Sequence, residues 1–194
     1  VLLGASVASM IVTPVLLNIA PAVATRLAGG APARRDLEAG IPPLSAHVII
    51  LGFGIGGRLV SRALRDLNVP YLILELNGVT VRQARAEGER IFSGDATSPE
   101  SLHAARVAHA LALVSLLSDP DATYRMVKAV REMAPGLPLV VRTRYRLEAE
   151  RLQAAGATVA VAEELEASLE VMAQLLSRLD VPGNLIAPLL DVFR

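Results

Sequence analysis

The chain has 194 residues, with 19 basic and 19 acidic side chains, so its formal net charge is zero. This balance supplies no electrostatic field for nucleic acid, and 3% aromatic residues leave few rings on which bases can stack. Cysteine is absent, which excludes disulfides and thiolate chemistry. We therefore expect no nucleic-acid partner.

The first segment is strongly apolar. Residues 1–25 carry no charged side chain, and about 20 apolar residues suffice to cross a bilayer as a helix. Three arginines follow within residues 26–35, which places that end of the segment in the cytoplasm. A signal peptide would need a basic start, and a buried soluble helix of this composition would need a larger core. We predict a transmembrane helix over residues 1–28 and, because the chain begins inside this run, a longer parent protein.

The middle of the chain is predicted to be one α/β domain. Residues 29–45 contain three prolines and three glycines, a composition typical of a semi-extended linker. Over residues 46–162, short apolar strands alternate with amphipathic helices, which indicates βαβ units on a parallel sheet. We predict a Rossmann-like, doubly wound parallel sheet of six strands.

The remainder, residues 163–194, is predicted to form a C-terminal helical arm. Six apolar side chains lie there at helical spacing: Leu165, Leu169, Met172, Leu175, Leu176 and Leu179. A stripe of this kind packs either on its own sheet or against another subunit, and the sequence leaves both open.

A glycine-rich turn follows the first predicted strand of the domain. Gly52, Gly54 and Gly57 fit the pattern G-x-G-x-x-G, directly after an apolar run and before a helix. The first glycine suits a tight turn, the second lets a diphosphate approach the backbone, and the third lets the helix pack closely on the strand. The helix start then directs its free N–H groups and positive dipole end toward the phosphates.

An acidic residue completes the pattern. Glu75 lies 18 residues after Gly57, at the end of the second predicted strand. An acid there can accept hydrogen bonds from ribose hydroxyls, and it disfavours a cofactor with a 2′-phosphate. The alternative is a doubly wound sheet with an empty crevice. Strand, glycines, helix, strand and acid in register favour nucleotide binding.

Further candidates lie at the predicted carboxyl ends of the strands, where ligands bind in such sheets. Asp95 can accept a bond from the adenine amine or cap its own loop. Arg142 can reach a phosphate, or it can pair with Asp119 or Glu148. The complete set of predicted binding residues is Gly52, Gly54, Ile55, Gly56, Gly57, Arg58, Glu75, Leu76, Asn77, Gly94, Asp95, Ala96, Ser118 and Arg142.

The sequence shows no catalytic or metal-binding constellation. Its three histidines are not at metal spacing with a carboxylate, and Ser61 and Ser115 have no base nearby in sequence. A dehydrogenase would need a substrate domain after the sheet, and only about 30 helical residues remain. We therefore expect a sensor that binds nucleotide without transforming it, with no catalytic residue and no metal.

Several stretches resemble a known family. The runs HVIILGFGIGG, LELN, SGDAT, AARVAHA and LVVRTR are similar to the RCK (regulator of potassium conductance, or Trk N-terminal) domain through about Ala162. The leading run SMIVTP is similar to the last membrane helix of Kef-type potassium/proton antiporters of the cation:proton antiporter-2 family. The resemblance thus joins a transport helix to an RCK N-terminal domain.

The resemblance implies a cytoplasmic regulatory domain on a bacterial K⁺(Na⁺)/H⁺ antiporter of the inner membrane. Residues 1–28 would end the transport domain, and residues 163–194 would be a dimerisation arm. Such domains form homodimers and respond to NAD(H), AMP, ADP or ATP. By resemblance, the residues contacting the nucleotide would be Gly52, Gly54, Gly57, Glu75, Asp95 and Ala96.

The expected mechanism is that nucleotide binding stabilises one arrangement of the dimer and that the linker passes this change to the membrane helix. A tenfold shift in the equilibrium between two arrangements of the dimer needs a difference of only about 1.4 kcal/mol in the free energy of nucleotide binding. Two alternatives remain at this stage. One is an RCK gating domain on a potassium channel, and the other is a soluble NAD-dependent oxidoreductase.

Overall fold

The computed structural model describes residues 46–193. The six strands are β1 (His47–Leu51), β2 (Tyr71–Glu75), β3 (Ile91–Ser93), β4 (Ala110–Ser115), β5 (Leu139–Thr143) and β6 (Val159–Ala162). The seven helices of this range are α1 (Ile55–Asp66), α2 (Gly78–Ala86), α3 (Pro99–Ala104), α4 (Pro120–Met133), α5 (Arg146–Ala154), α6 (Glu163–Arg178) and α7 (Gly183–Asp191). A single 3₁₀ turn over Val107–His109 precedes β4.

The six strands form one sheet in the order β3-β2-β1-β4-β5-β6, and every neighbouring pair is parallel. The chain therefore starts in the middle of the sheet, winds outward to β3, and then crosses back to build the other half from β4. This confirms the predicted doubly wound fold. The winding direction reverses between β1 and β4, and ligands of such sheets bind beyond the carboxyl ends at that point.

Apolar side chains alternate between two cores on opposite faces of the sheet. On one face, Ile49 and Leu113 pack with Met126 of α4 and Leu152 of α5. On the other face, Ile50 packs with a second group of buried residues, which comprises Phe53, Tyr71, Ile73, Val81, Ala84 and Ile91. The central strands are buried on both sides, which explains why β1 and β2 read as nearly continuous apolar runs.

One face of the half of the sheet built by β5 and β6 is only partly covered. Val140 pairs in register with Val114 and Val159, so these side chains share the face that α1 and α2 cover over β1–β3. Val140, Val159 and Val161 are nevertheless exposed. The opposite face is covered, since Leu139 and Val141 are fully buried there.

The C-terminal arm is confirmed as helical, and it divides into α6 and α7. The predicted apolar stripe is split between two environments, since Leu169 is buried while Leu175 and Leu179 of the same stripe are 58% and 64% exposed. Among residues 46–193, no helix is both long and apolar enough to cross a membrane. The predicted transmembrane helix (1–28) and linker (29–45) lie outside the described residues.

Candidate functional site

The turn between β1 and α1 needs glycine for steric reasons. Gly52 has φ = +91°, a conformation that residues with a side chain rarely adopt. A Cβ atom on Gly57 would overlap the carbonyl oxygen of Gly52. The third glycine of the motif therefore lets the first turn of α1 lie directly against the end of β1, as the spacing predicts.

Gly54 faces open space instead of protein. A Cβ atom built there would meet no atom within 4 Å, and the residue has an ordinary extended backbone. It is the N-cap of α1, makes no side-chain capping bond, and is followed by a first turn without an acidic residue. Because the first N–H groups of a helix have no partner inside it, this end of α1 presents unneutralised donors to the space above the turn.

Glu75 ties the end of β2 to the glycine turn. One carboxylate oxygen accepts a hydrogen bond from the backbone N–H of Phe53 at 2.7 Å. The other accepts one from the backbone N–H of Asn77, also at 2.7 Å. Each carboxylate oxygen can accept more than one bond, so the group stays able to take hydroxyl donors while its position is fixed.

Two neighbouring cavities lie beyond the carboxyl ends of β1, β2 and β4 and are together called the cleft. The larger, called here the glycine-loop half, measures about 670 Å³ and is lined by Gly52–Gly57, Glu75, Leu116, Leu117, Ser118, Arg142 and Glu163. The smaller, called the β3 half, measures about 310 Å³; its lining is Gly52, Leu74–Leu76, Gly94–Thr97, Leu117–Asp119, Ala122 and Arg125. Glu75 lines both halves, so it lies where the two cavities adjoin.

Arg142 donates hydrogen bonds to several residues that line the glycine-loop half. Its Nη2 donates to the carbonyl oxygens of Leu116 and Leu117 at 3.2 and 3.3 Å and to the Ser118 hydroxyl at 3.0 Å. Its Nη1 donates to Glu163 at 2.6 Å, and its buried Nε has no partner among the described residues. The sequence offered Asp119 or Glu148 as its ion-pair partner. The structure replaces both with Glu163.

Asp119 and Glu148 have other bonds in the structure. Asp119 caps α4 by accepting from the backbone N–H groups of Asp121 and Ala122. The Ala122 N–H is the main cause that lowers the pKa of Asp119. Glu148 accepts from the Thr143 hydroxyl. Their capping roles explain why neither reaches Arg142.

Three predicted binding residues make local contacts. The Arg58 guanidinium lies 4.7 Å from the centre of the Phe53 ring and donates to Glu87, and it lines neither half of the cleft. Asn77 caps α2 by accepting from Val79 and Thr80 N–H groups and likewise lines neither half. Asp95 accepts from both the N–H and the hydroxyl of Thr97, yet it lines the β3 half.

The other predicted binding residues all line the cleft. They are Gly52, Gly54, Ile55, Gly56, Gly57, Glu75, Leu76, Gly94, Ala96, Ser118 and Arg142. Sequence reasoning missed Glu163 and Arg125. A signal existed for Glu163, because it follows β6 directly and so lies at the same edge of the sheet as the other strand ends.

Residues 46–193 hold no group of three or more His, Cys, Asp or Glu side chains that could bind a metal. His47 is buried at the start of β1, far along the strand from the cleft, and its Nε2 donates to the carbonyl oxygen of Ala105. Burial lowers the pKa of His47, and the nearby charges of Arg106 and His109 act in the same direction.

Residues 48–163 match the family model of the TrkA-N domain. The chain is 35% identical over 148 residues to the putative K⁺ efflux antiporter KefB of Alkalimonas amylolytica, covering 76% of this chain and 22% of that protein. It is 33% identical over 158 residues to the chloroplastic K⁺ efflux antiporter 1 of Arabidopsis thaliana, covering 81% and 13%. The chain thus spans about a fifth or less of the length of these relatives.

Solved structures of similar fold agree. The TrkA-N domain of the Escherichia coli inner membrane protein ybaL superposes with a TM-score of 0.65 at 24% identity, covering 70% of this chain and 99% of that one. The AMP-bound C-terminal domain of Kef from Shewanella denitrificans gives 0.63 at 24%, covering 76% and 89%. The NAD-bound GsuK channel gives 0.61 at 21%, covering 88% and 30%.

The family model covers more than half of the chain, and it ends where β6 gives way to α6. The resemblance to the RCK, or Trk N-terminal, domain is thereby confirmed, with Kef-type K⁺ efflux antiporters among the relatives. This chain belongs to the TrkA-N domain family.

Proposed function

We propose that residues 46–162 are the nucleotide-binding regulatory domain of a Kef-type K⁺ efflux antiporter. The observation that carries this proposal is the position of Glu75, whose carboxylate is bonded to the glycine turn beside the uncapped start of α1. The relatives at 33–35% identity are K⁺ efflux antiporters, which favours an antiporter over a channel as the parent protein.

The ligand of the proposed site is NAD(H) or an adenine mononucleotide (AMP, ADP or ATP). Its adenosine lies in the β3 half, its ribose hydroxyls donate to Glu75, and its phosphates meet the N–H groups at the start of α1. The lack of a side chain at Gly54 leaves room for that approach. The AMP and NAD held by the similar Kef and GsuK structures support this choice.

The parent protein proposed here is a bacterial K⁺(Na⁺)/H⁺ antiporter of the inner membrane, with this domain on the cytoplasmic side as a homodimer. Ligand binding would gate ion transport by favouring one arrangement of that dimer. A ligand shifts such an equilibrium only by its differential affinity for the two states. A tenfold change in the equilibrium constant requires a difference of about 1.4 kcal/mol in binding free energy. Two charge-assisted bonds to phosphate supply that amount.

The proposal includes no chemical turnover. The ionisable side chains lining the two described halves are Glu75, Asp95, Asp119, Arg125, Arg142 and Glu163. All four carboxylates already accept hydrogen bonds from protein groups, which suits structural roles. An oxidoreductase would consume NADH in the presence of carbonyl substrates. We expect the absorbance of NADH to stay constant with this protein.

The test is titration calorimetry of the intact chain with NAD⁺, NADH, AMP, ADP and ATP. In Gly54→Ala, the added methyl group occupies the space where phosphates approach without touching protein, so affinity should fall at least tenfold. The matched control is Gly136→Ala, since a Cβ there also meets no atom within 4 Å and the residue lies outside the cleft.

Both variants should melt within a few degrees of the wild type. The proposal fails if none of the five nucleotides binds at millimolar concentration. It also fails if Gly54→Ala and Gly136→Ala bind every nucleotide equally well.

A further inference from the structure

The glycine-loop half has an unusual charge balance for a site that receives phosphates. Three ionisable side chains line it: Glu75, Arg142 and Glu163. Two carboxylates against one guanidinium give this wall a formal charge of −1. Arg58, the arginine in the first turn of α1, donates to Glu87 and does not line the cavity.

The one guanidinium is already engaged. Three hydrogen bonds run from Nη2 of Arg142 to the end of β4, and a fourth runs from its Nη1 to Glu163. The Arg142 side chain is 29% exposed, whereas that of Glu163 is 48% exposed. The carboxylate is therefore the more accessible member of the pair.

We propose that Glu163 is a specificity-determining residue, an inference that rests on the proposed nucleotide-binding function. Its carboxylate disfavours ligands that carry further phosphates beyond the first two. It admits ligands in which the diphosphate is followed by an uncharged group. Among adenine nucleotides, this is the arrangement found in a dinucleotide. The reason is Coulombic. Each added phosphate brings negative charge close to Glu163, and the positive charge of Arg142 that could attract it is offset by that same carboxylate.

The size and surface of the cavity agree with this assignment. The glycine-loop half is about 670 Å³, against about 310 Å³ for the β3 half, so it has room for more than a diphosphate. The side chains of Ile55, Leu116 and Leu117 give it apolar wall. The start of α1 carries about half a positive charge, which favours the phosphates nearest to it and weakens with distance.

The test compares the dissociation constants of NAD⁺, ADP and ATP for the intact chain, measured by calorimetry at low salt in EDTA so that no metal masks the phosphates. We expect the wild type to bind NAD⁺ more tightly than ATP. In Glu163→Gln, the ratio of the NAD⁺ and ATP affinities should shift toward ATP by about five- to tenfold, with a smaller shift for ADP.

Glu164→Gln is the matched control. Glu164 lies in the same first turn of α6, has the same charge, and does not line the cavity. Its affinity ratio should stay within about twofold of the wild type. The shift in Glu163→Gln should also shrink in 0.5 M salt, because screening acts on charge and not on shape.

The outcomes separate this inference from the function on which it rests. Binding of none of the three nucleotides would overturn the proposed function itself. Tight NAD⁺ binding with equal shifts in Glu163→Gln and Glu164→Gln would leave the function standing and overturn the role of Glu163. A wild type that binds ATP more tightly than NAD⁺ would overturn it as well. Glu163→Ala serves as a second variant, with the same expected direction.

Discussion

Two helices, α1 and α6, begin at the wall of the glycine-loop half, and their first turns have opposite chemistry. The first turn of α1 has no acidic residue, and its N-cap is Gly54 without a capping side chain. The first turn of α6 contains Glu163, Glu164 and Glu166. A carboxylate in the first turn neutralises the positive end of its own helix, whereas an uncapped start keeps that charge for an external anion. The start of α6 is thus stabilised internally, whereas the start of α1 is left open for the proposed ligand.

The largest expected effect comes from removing the close approach that places α1. Gly57→Ala sets a methyl group on the Gly52 carbonyl oxygen, so the turn must open and the start of α1 must move. We expect a loss of about 2–4 kcal/mol in the free energy of unfolding, measured by chemical denaturation.

The control for this change is Gly78→Ala at the first residue of α2, where the nearest atom to a new Cβ is 3.6 Å away. Alanine is the better helix former, so the free energy of unfolding should rise slightly or stay the same. Equal stability of Gly57→Ala and Gly78→Ala would show that the close contact at the turn is not required.

A second change makes α1 resemble α6. Ile55→Glu adds a carboxylate to the first turn of α1, where the side chain is exposed and lines the cleft. The helix should gain about 0.5 kcal/mol from its dipole, while nucleotide affinity should fall at least tenfold through repulsion of the phosphates. Calorimetry measures the expected loss of affinity, and thermal unfolding measures the expected gain in stability.

Leu147→Glu is the matched control, because it places the same charge on an exposed position in the first turn of α5, outside the cleft. It should leave nucleotide affinity unchanged. If Ile55→Glu also left the affinity unchanged, the contrast between the two helix starts would have no bearing on binding.

The smallest expected effect concerns His47, which lies at the start of β1, at the end of the strand opposite the cleft. Burial lowers the pKa of His47 below its unfolded value of 6.5, so the unfolded chain binds the proton more readily. Stability is therefore retained above pH 6.5 and falls as the pH drops below that value toward the lower folded pKa. In His47→Gln, the free energy of unfolding should depend less on pH between 6.5 and 5, measured by urea denaturation. An unchanged pH dependence would show that His47 does not titrate on unfolding.

Some of the predicted binding residues that line the cleft have positions that follow from backbone topology. Gly52, Gly57 and Glu75 must meet once β1 and β2 are parallel neighbours, whatever their rotamers. The pairing of Arg142 with Glu163 depends on side-chain direction and on where β6 ends, which no local motif encodes. Arg58 departs from its expected place for the same reason, since the Phe53 ring and Glu87 draw its flexible side chain away from the turn.

The apolar stripe of α6 shows a second limit. Helical spacing identified Leu169, Leu175 and Leu179 as one face, but spacing does not say how far a helix stays on its sheet. Only Leu169 is buried. Leu165, Met172 and Leu176 are half-buried, whereas Leu175 and Leu179 are exposed.

The bridge that Glu75 makes between the Phe53 and Asn77 amides also bears on how fast a ligand is captured. A flexible loop must be ordered at each encounter, which slows capture and weakens affinity. Here that ordering is completed during folding, so the mouth of the cleft is already formed before a ligand binds. Capture of the proposed nucleotide would then depend on diffusion and orientation, and differences between nucleotides would be expressed in how long each one stays bound.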